Sequence, residues 1–384
     1  MALPPPSSDA RAHSAALCAQ ITADIATAGG WLSFAAFMDR ALYAPGLGYY
    51  AAGARKFGEA GDFVTAPELT PYFARTLARQ AAEVMAASAP QIIEAGAGSG
   101  RLAADLLLAL EAQGALPERY GILEVSADLA ERQHALLAAR APHLLPRVHW
   151  LTALPERFSG LLLGNEVLDA MPVHLVVWND GDIAERGVVR GEDGGFAWAD
   201  RPAHGPLLAE AERLRAQYGL GGGYVSEINL AAGAWVRDWA TRLETGALLL
   251  FDYGFPRHEY YHPQRGSGTV MCHYRHQAHP DPFYLPGLQD ITAHVDFTAV
   301  AEAAFDGGLS VLGYTSQATF LMNAGLLDLL GALEPTAPAT IRETAAAHKL
   351  LSPAEMGELF KVIAAGRGLA GLSGFARGDR LHTL

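Results

Sequence analysis

The sequence predicts an α/β protein: a doubly wound, Rossmann-like sheet with an N-terminal helical lead-in, an antiparallel hairpin insertion and C-terminal helices. Three observations carry that reading. Short apolar runs alternate with helical stretches from Gln91 onward, which is the βαβ rhythm. One such run, Ile92-Ile93, opens straight into the glycine turn Gly96, Gly98, Gly100, followed by a helix with Leu102, Leu106 and Leu110 on one face. Leu161-Leu162-Leu163-Gly164 is apolar without alternation, as a strand covered on both faces must be.

The elements follow in order. Ser8 to Ala28 reads as an amphipathic helix, and a second runs through Phe34, Phe37 and Met38 to Leu42 before breaking at Pro45-Gly46. A polar, glycine-rich loop leads through Asp62, Thr65 and Glu68 to a helix from Pro71 to Met85, which Thr70 can cap. After the glycine turn, Tyr120 to Val125 is a strand, and Ser126 caps the next helix. Val173 to Trp178, Ile183 to Val189 and Gly194 to Trp198 alternate around Asp-Gly turns and form the hairpins of the insertion. Pro206 to Tyr218 is helical, Tyr224 to Ile228 strand-like, Ala232 to Leu243 helical, and Ala247 to Asp252 a buried strand ending in Asp252-Tyr253-Gly254. Asp290 is read as a helix cap with His294 and Asp296 in the first turns. Leu309 to Tyr314 is a strand, and the remainder reads as apolar helices. The lead-in occupies residues 1–85 and the doubly wound domain residues 86–384, with the insertion at about 173–223.

Composition bounds the function. Of 384 residues, 50% are hydrophobic and 18% charged, an ordinary globular balance. With 41 acidic against 28 basic side chains the net charge is −13, which argues against nucleic acid as the main partner. Cys18 and Cys272 are too few for a disulfide framework. No run approaches the ~20 apolar residues of a membrane span. The start, MALPPPSSDARAH, shows neither a signal-peptide core nor an arginine-rich transit pattern, so the expectation is a cytoplasmic protein. Cys272 to His279 has no Cys-x-x-Cys pair and carries Arg275 in its middle, which speaks against a metal site.

The glycine turn admits two cofactors. A dinucleotide fingerprint would place its third small residue at 101, where Arg101 stands; the third glycine falls one step early, at Gly100. Glu94 lies two places before the first glycine. The resulting E-x-G-x-G-x-G resembles the first motif of S-adenosyl-L-methionine (SAM) methyltransferases. SAM carries a sulfonium and an ammonium, so a carboxylate beside the turn suits it and would repel a diphosphate. Glu124, at the end of the second strand, is placed to accept hydrogen bonds from ribose hydroxyls.

Asn165-Glu166-Val167-Leu168-Asp169-Ala170-Met171-Pro172 follows an apolar strand, where open α/β sheets bind ligands. Glu166 and Asp169 stand three apart, and one helical turn would bring them to the same face. Paired carboxylates can clamp a guanidinium while one takes its proton.

Seven blocks now stand in fixed order: FMDRALYAPGLGYYA, GDFVTAPE, EAGAGSGRLAADLL, GNEVLDAMPVH, LLLFDYG, PGLQDITAHVDF and MGELFKVIAAG. Together they closely resemble the MidA family of SAM-dependent methyltransferases, related to a mitochondrial assembly factor of respiratory complex I, over roughly Phe34 to Gly366. The resemblance implies a class I methyltransferase fold and, for the mitochondrial branch, arginine methylation on a complex I subunit. It implies that Glu94, Gly96, Gly98, Gly100, Glu124, Asn165, Asp62 and Thr65 bind SAM. Glu166 and Asp169 would serve catalysis, with His294, next to Asp296, as a second candidate for the proton path. Where the family's turn commonly reads Gly-Pro-Gly, Ala97 and Ser99 stand here. The partner expected is a protein with a target arginine; oligomeric state stays open. Two other readings remain: an assembly factor that binds SAM without catalysis, and a methyltransferase of a small molecule.

Overall fold

The computed structural model describes residues 3–52, 65–334 and 338–384. Its centre is an eight-stranded sheet. Across it lie Ser310–Ser316, Phe360–Arg367, Leu243–Phe255, Phe158–Asn165, Gln91–Ala95, Arg119–Leu123 and Val148–Leu151, and Val295–Asp296 pairs alongside the end of Leu243–Phe255. Phe360–Arg367 runs antiparallel to both neighbours, whereas the five strands from Leu243–Phe255 to Val148–Leu151 are parallel. The chain reverses its direction of winding between Gln91–Ala95 and Phe158–Asn165, which creates the crevice where such sheets bind ligands. This is the class I methyltransferase arrangement.

Both faces of the sheet are covered, and successive residues divide between the two cores. Leu161 and Leu163 pack with Phe73, Leu77, Leu106 and Leu249, below the helices Pro71–Ala87 and Arg101–Ala112. Leu162 points the other way, among Trp239, Leu250 and Phe297. The period of two along a strand explains the division, and burial on both sides explains the missing alternation in the sequence. Helix starts are set by short polar side chains: Thr70, Ser126, Asn229 and Asp296 each accept a backbone N–H of the first turn. Each such cap is worth ~1 kcal/mol.

The insertion is a five-stranded antiparallel sheet. The hairpin strands His174–Trp178, Ile183–Arg190 and Phe196–Pro202 are joined by Tyr224–Ile228 and, from the other end of the chain, by Leu32–Ser33. The first helices, Ser8–Thr27 and Phe34–Tyr43, pack Leu17, Ile21, Phe34 and Phe37 with Leu175 and Val188 of this sheet and with Val173 just before it. The lead-in is thereby held over the crevice.

Two expectations are corrected. Asp290 caps no helix: Asp290–Thr292 is a strand beside Met271–Tyr274, and the helix begins at Phe297 with Asp296 as its cap. The C-terminal run read as helical contains the strand Phe360–Arg367, buried along nearly its whole length. A strand with two apolar faces has no period to betray it. Among the described residues no helix is long and apolar enough to cross a membrane.

Candidate active site

At the carboxyl ends of the parallel strands lies a cavity of about 550 Å³. The glycine turn forms one wall. Gly96, Gly98 and Gly100 all take left-handed backbone angles, with φ of 65°, 53° and 84°. A Cβ on Gly96 would stand 3.3 Å from the Val167 side chain, and one on Gly100 3.1 Å from Gln133, so two elements close on the turn. Ser99 hydrogen-bonds Glu68 from the short helix Ala66–Leu69, tying the turn to the segment that carries Thr65.

The carboxylates here are buried. Glu94 accepts the Tyr120 hydroxyl at 2.6 Å, and burial pushes its carboxyl up to about 7. Glu124 accepts the Ser126 N–H and the Gln133 amide, both at 2.9 Å; burial raises it as well. Beside it Val125 is 85% exposed, an apolar surface left open at the cavity edge.

The opposite wall is the turn after Phe158–Asn165. Glu166 and Asp169 are brought together, but not by a helical turn. Residues 166–170 wrap around the carboxylate of Asp252, whose Oδ2 accepts the N–H groups of Val167, Leu168 and Asp169 at 3.2, 2.9 and 3.3 Å. Glu166 sits at φ 54°, a left-handed conformation costly for a side chain with a Cβ. Asn165 donates to Glu166 Oε1 at 2.9 Å. Burial first, and then the neighbouring Asp169, push the Glu166 carboxyl up to about 8. Asp169 is likewise raised by burial. Asn165 Oδ1 and Asp169 Oδ1 are buried without a hydrogen-bond partner.

The lead-in supplies the roof. Tyr43 donates to the Ala170 carbonyl and Tyr50 to Asp290 Oδ1, each at 2.9 Å, with their rings stacked 5.6 Å apart. Burial raises both phenols, so they stay protonated donors at neutral pH. Tyr43, Tyr50, Asp290 and Tyr253 line the cavity and were not among the expected site residues. The available signals were the block FMDRALYAPGLGYYA, which contains both lead-in tyrosines, LLLFDYG with Tyr253 and PGLQDITAHVDF with Asp290.

Of the expected site residues, Glu94, Gly96, Gly98, Glu124, Asn165, Thr65, Glu166, Asp169 and His294 all line this cavity. Gly100 lies just behind it as the N-cap of Arg101–Ala112. Asp62 falls outside the described residues. His294 packs edge-on against Tyr253 and Phe255, and its Nδ1 has no partner; burial lowers it to about 4. It is not backed by Asp296. That carboxylate binds Arg257 at 2.9 Å and caps the helix from Phe297. Cys272 and His279 face each other in the hairpin Met271–Tyr274/Gln277–His279. Among the described residues no group of three or more His, Cys, Asp or Glu is arranged to hold a metal ion.

The site suits SAM on its own chemistry. Glu94, Glu124, Glu166 and Asp169 take part in none of the ion pairs among the described residues. A cavity with buried acids, orphaned acceptors and a glycine cradle awaits a cation with hydroxyl and amine donors.

Comparison with known proteins agrees. Residues 76–315 match the model of a family described as S-adenosyl-L-methionine-dependent methyltransferases. The chain is 30% identical to the mitochondrial protein arginine methyltransferase NDUFAF7 of Danio rerio, over 87% of this chain and 83% of that protein. Its Drosophila melanogaster homolog is also 30% identical, over 94% and 87%. A crystal structure of a COG1565 superfamily member from Burkholderia thailandensis, bound to S-adenosyl-homocysteine, superposes with a TM-score of 0.96 at 53% identity, covering 100% of both chains. The mitochondrial names of the curated relatives overturn the expectation of a cytoplasmic protein. The glycine cradle, the buried acids around it and these matches lead to one conclusion: the chain belongs to the MidA family of S-adenosyl-L-methionine-dependent methyltransferases.

Proposed function

We propose that this enzyme methylates a side-chain nitrogen of arginine in a protein, with a subunit of a complex I-type assembly or a similar protein as acceptor. The observation that carries the reading is the pairing of Glu166 and Asp169, both buried and raised, with no ion pair, in the cavity that Asp290 and two tyrosine hydroxyls also line. The names of the NDUFAF7 relatives support it.

Bound SAM supplies an electrophilic methyl group on a sulfonium. Gly96, Gly98 and Gly100 would let the backbone approach it. Glu124 would take the ribose hydroxyls, and Glu94, Asn165, Thr65 and Asp62 would complete its binding. Glu166 and Asp169 act on the acceptor. A guanidinium entering between them favours their ionised forms and draws both carboxyls down from their raised values. Ionised, they hold it through charge-assisted hydrogen bonds and draw its positive charge away from the attacking nitrogen. Glu166 then takes the proton that this nitrogen sheds. Asp252 keeps Glu166 in place by fixing the backbone on its C-terminal side. His294, low in basicity and lacking a carboxylate partner, is the lesser candidate for the proton.

The test pairs binding with turnover. Glu166→Gln should leave SAM affinity within a few-fold of the parent yet lower methyl transfer to arginine by ~10²–10⁴, the range of a lost general base. Mass spectrometry of a deletion strain, with and without the parent gene restored, identifies the acceptor. Methyl groups gained at no arginine would sink the reading, and lost SAM affinity in the variant would reassign Glu166 to the cofactor.

A further inference from the structure

A second groove, of about 690 Å³, runs beside the cavity and shares Thr269, Met271 and His294 with it as a common wall. We infer that this groove docks the polypeptide bearing the target arginine and selects a segment in which an apolar and an acidic residue flank that arginine. The inference rests on the arginine reading above.

The apolar preference comes from the groove's surface. Trp198 of the inserted sheet is 40% exposed and Met271 38% exposed, and both line the groove. Few large hydrophobic side chains of the described residues are so open, and an exposed apolar surface next to a reaction cavity marks a contact site. The acidic preference comes from its charge. Arg186 in the groove is already satisfied, with both arms on Asp200 at 2.8 and 2.9 Å. Arg265 makes no ion pair among the described residues. Its guanidinium carbon instead sits over the Phe255 ring, 3.7 Å from the ring centre, and its N–H groups are left for a guest. Glu227, the one acid lining the groove among the described residues, is 1% exposed. It accepts the N–H groups of Thr269 and Val270 and the hydroxyls of Tyr260 and Thr269, so it offers a guest nothing. Those same bonds pin the shared wall: Thr269 Oγ1 in turn accepts the His294 N–H at 3.1 Å. A chain lying along Trp198 and Arg265 therefore passes a fixed edge, beyond which one long side chain reaches toward Glu166.

The test separates docking from chemistry. Fluorescein-labelled short peptides, each with a central arginine flanked by leucine and either aspartate or lysine, are titrated against the full chain with SAM present, and methyl transfer is measured on the same peptides. The aspartate series should bind about tenfold more tightly, as exchanging repulsion for attraction at one charge contact allows. Arg265→Glu should reverse the preference, Arg265→Gln should level it, and Trp198→Ala should weaken both series, all with SAM affinity unchanged. Equal binding of both series, binding indifferent to Arg265, or no binding of either overturns the docking inference. Preference that depends on Arg265 without methyl transfer keeps the groove and overturns the arginine reading. Methylated arginine with binding indifferent to Arg265 does the converse.

Discussion

Gln133 ties Glu124 to the glycine turn: its amide nitrogen donates to Glu124 Oε2 at 2.9 Å and to the Gly98 carbonyl at 3.0 Å. Its amide oxygen is held in turn by the Trp150 indole N–H at 3.0 Å, which sets the amide's orientation. A helix residue thus aligns two separate elements that line the cavity. Gln133→Leu removes that alignment and should raise the Kd for SAM about tenfold, matching one lost bond to a charged group of ~1.5 kcal/mol. Calorimetric titration checks it, and unchanged affinity would show that Glu124 holds its place unaided.

The raised carboxyls make the free protein sensitive to pH. Glu166 and Glu94 move from 4.5 to about 8 and about 7, so between those values the native state keeps protons that the unfolded chain has lost. Stability supplied in this way is complete below pH 4.5 and drains away as pH climbs to about 8. Tm measured without ligand should fall across that window from these two groups. The slope should flatten in Glu166→Gln, which has no proton to lose; an unaltered slope would contradict the shift.

Asp252 is structural as well as central. Removing its carboxylate in Asp252→Ala leaves the backbone N–H groups of Val167, Leu168, Asp169 and Tyr253 seeking an acceptor, at an expected cost of about 3 kcal/mol. Asp252→Asn keeps one oxygen for them and should lose less. Denaturant unfolding of the two variants gives the comparison, and equal losses would mean that the turn finds other partners.

Tyr50→Phe deletes only the hydroxyl on Asp290. Under the arginine reading, its expected effect is a several-fold rise in KM for the acceptor at unchanged SAM affinity, from the loss of ~1 kcal/mol of positioning. Equal damage to SAM affinity would place Tyr50 with the cofactor instead.

The parts of the site that could be read in the sequence are those set by local rules. Glycines with left-handed angles, an acid ending a strand and polar residues just beyond a buried strand are all placed by the element they belong to, and Gly96, Glu124 and Asn165 lie where those rules put them. What stayed hidden depends on distant chain. Tyr43 and Tyr50 reach the cavity because their helix and the turn after it pack on an inserted sheet far away in sequence. Asp252 read as one more acid at a sheet edge, since its role exists only once residues 167–169 fold around it. Asp290 looked like a cap because Asp before a helix usually is one, and the true cap lies six residues on.

The antiparallel strand Phe360–Arg367 lies between Leu243–Phe255 and Ser310–Ser316. During synthesis, then, the strand ending at Ser316 leaves before the one that must separate it from the centre, and the nascent sheet carries a bare hydrogen-bonding edge at Leu243–Phe255 meanwhile. Direct pairing of Ser310–Ser316 with that edge is a ready error, and a bare apolar edge invites neighbours. Expression yield should therefore depend on how fast the final stretch is translated, even where no residue of the finished enzyme has changed.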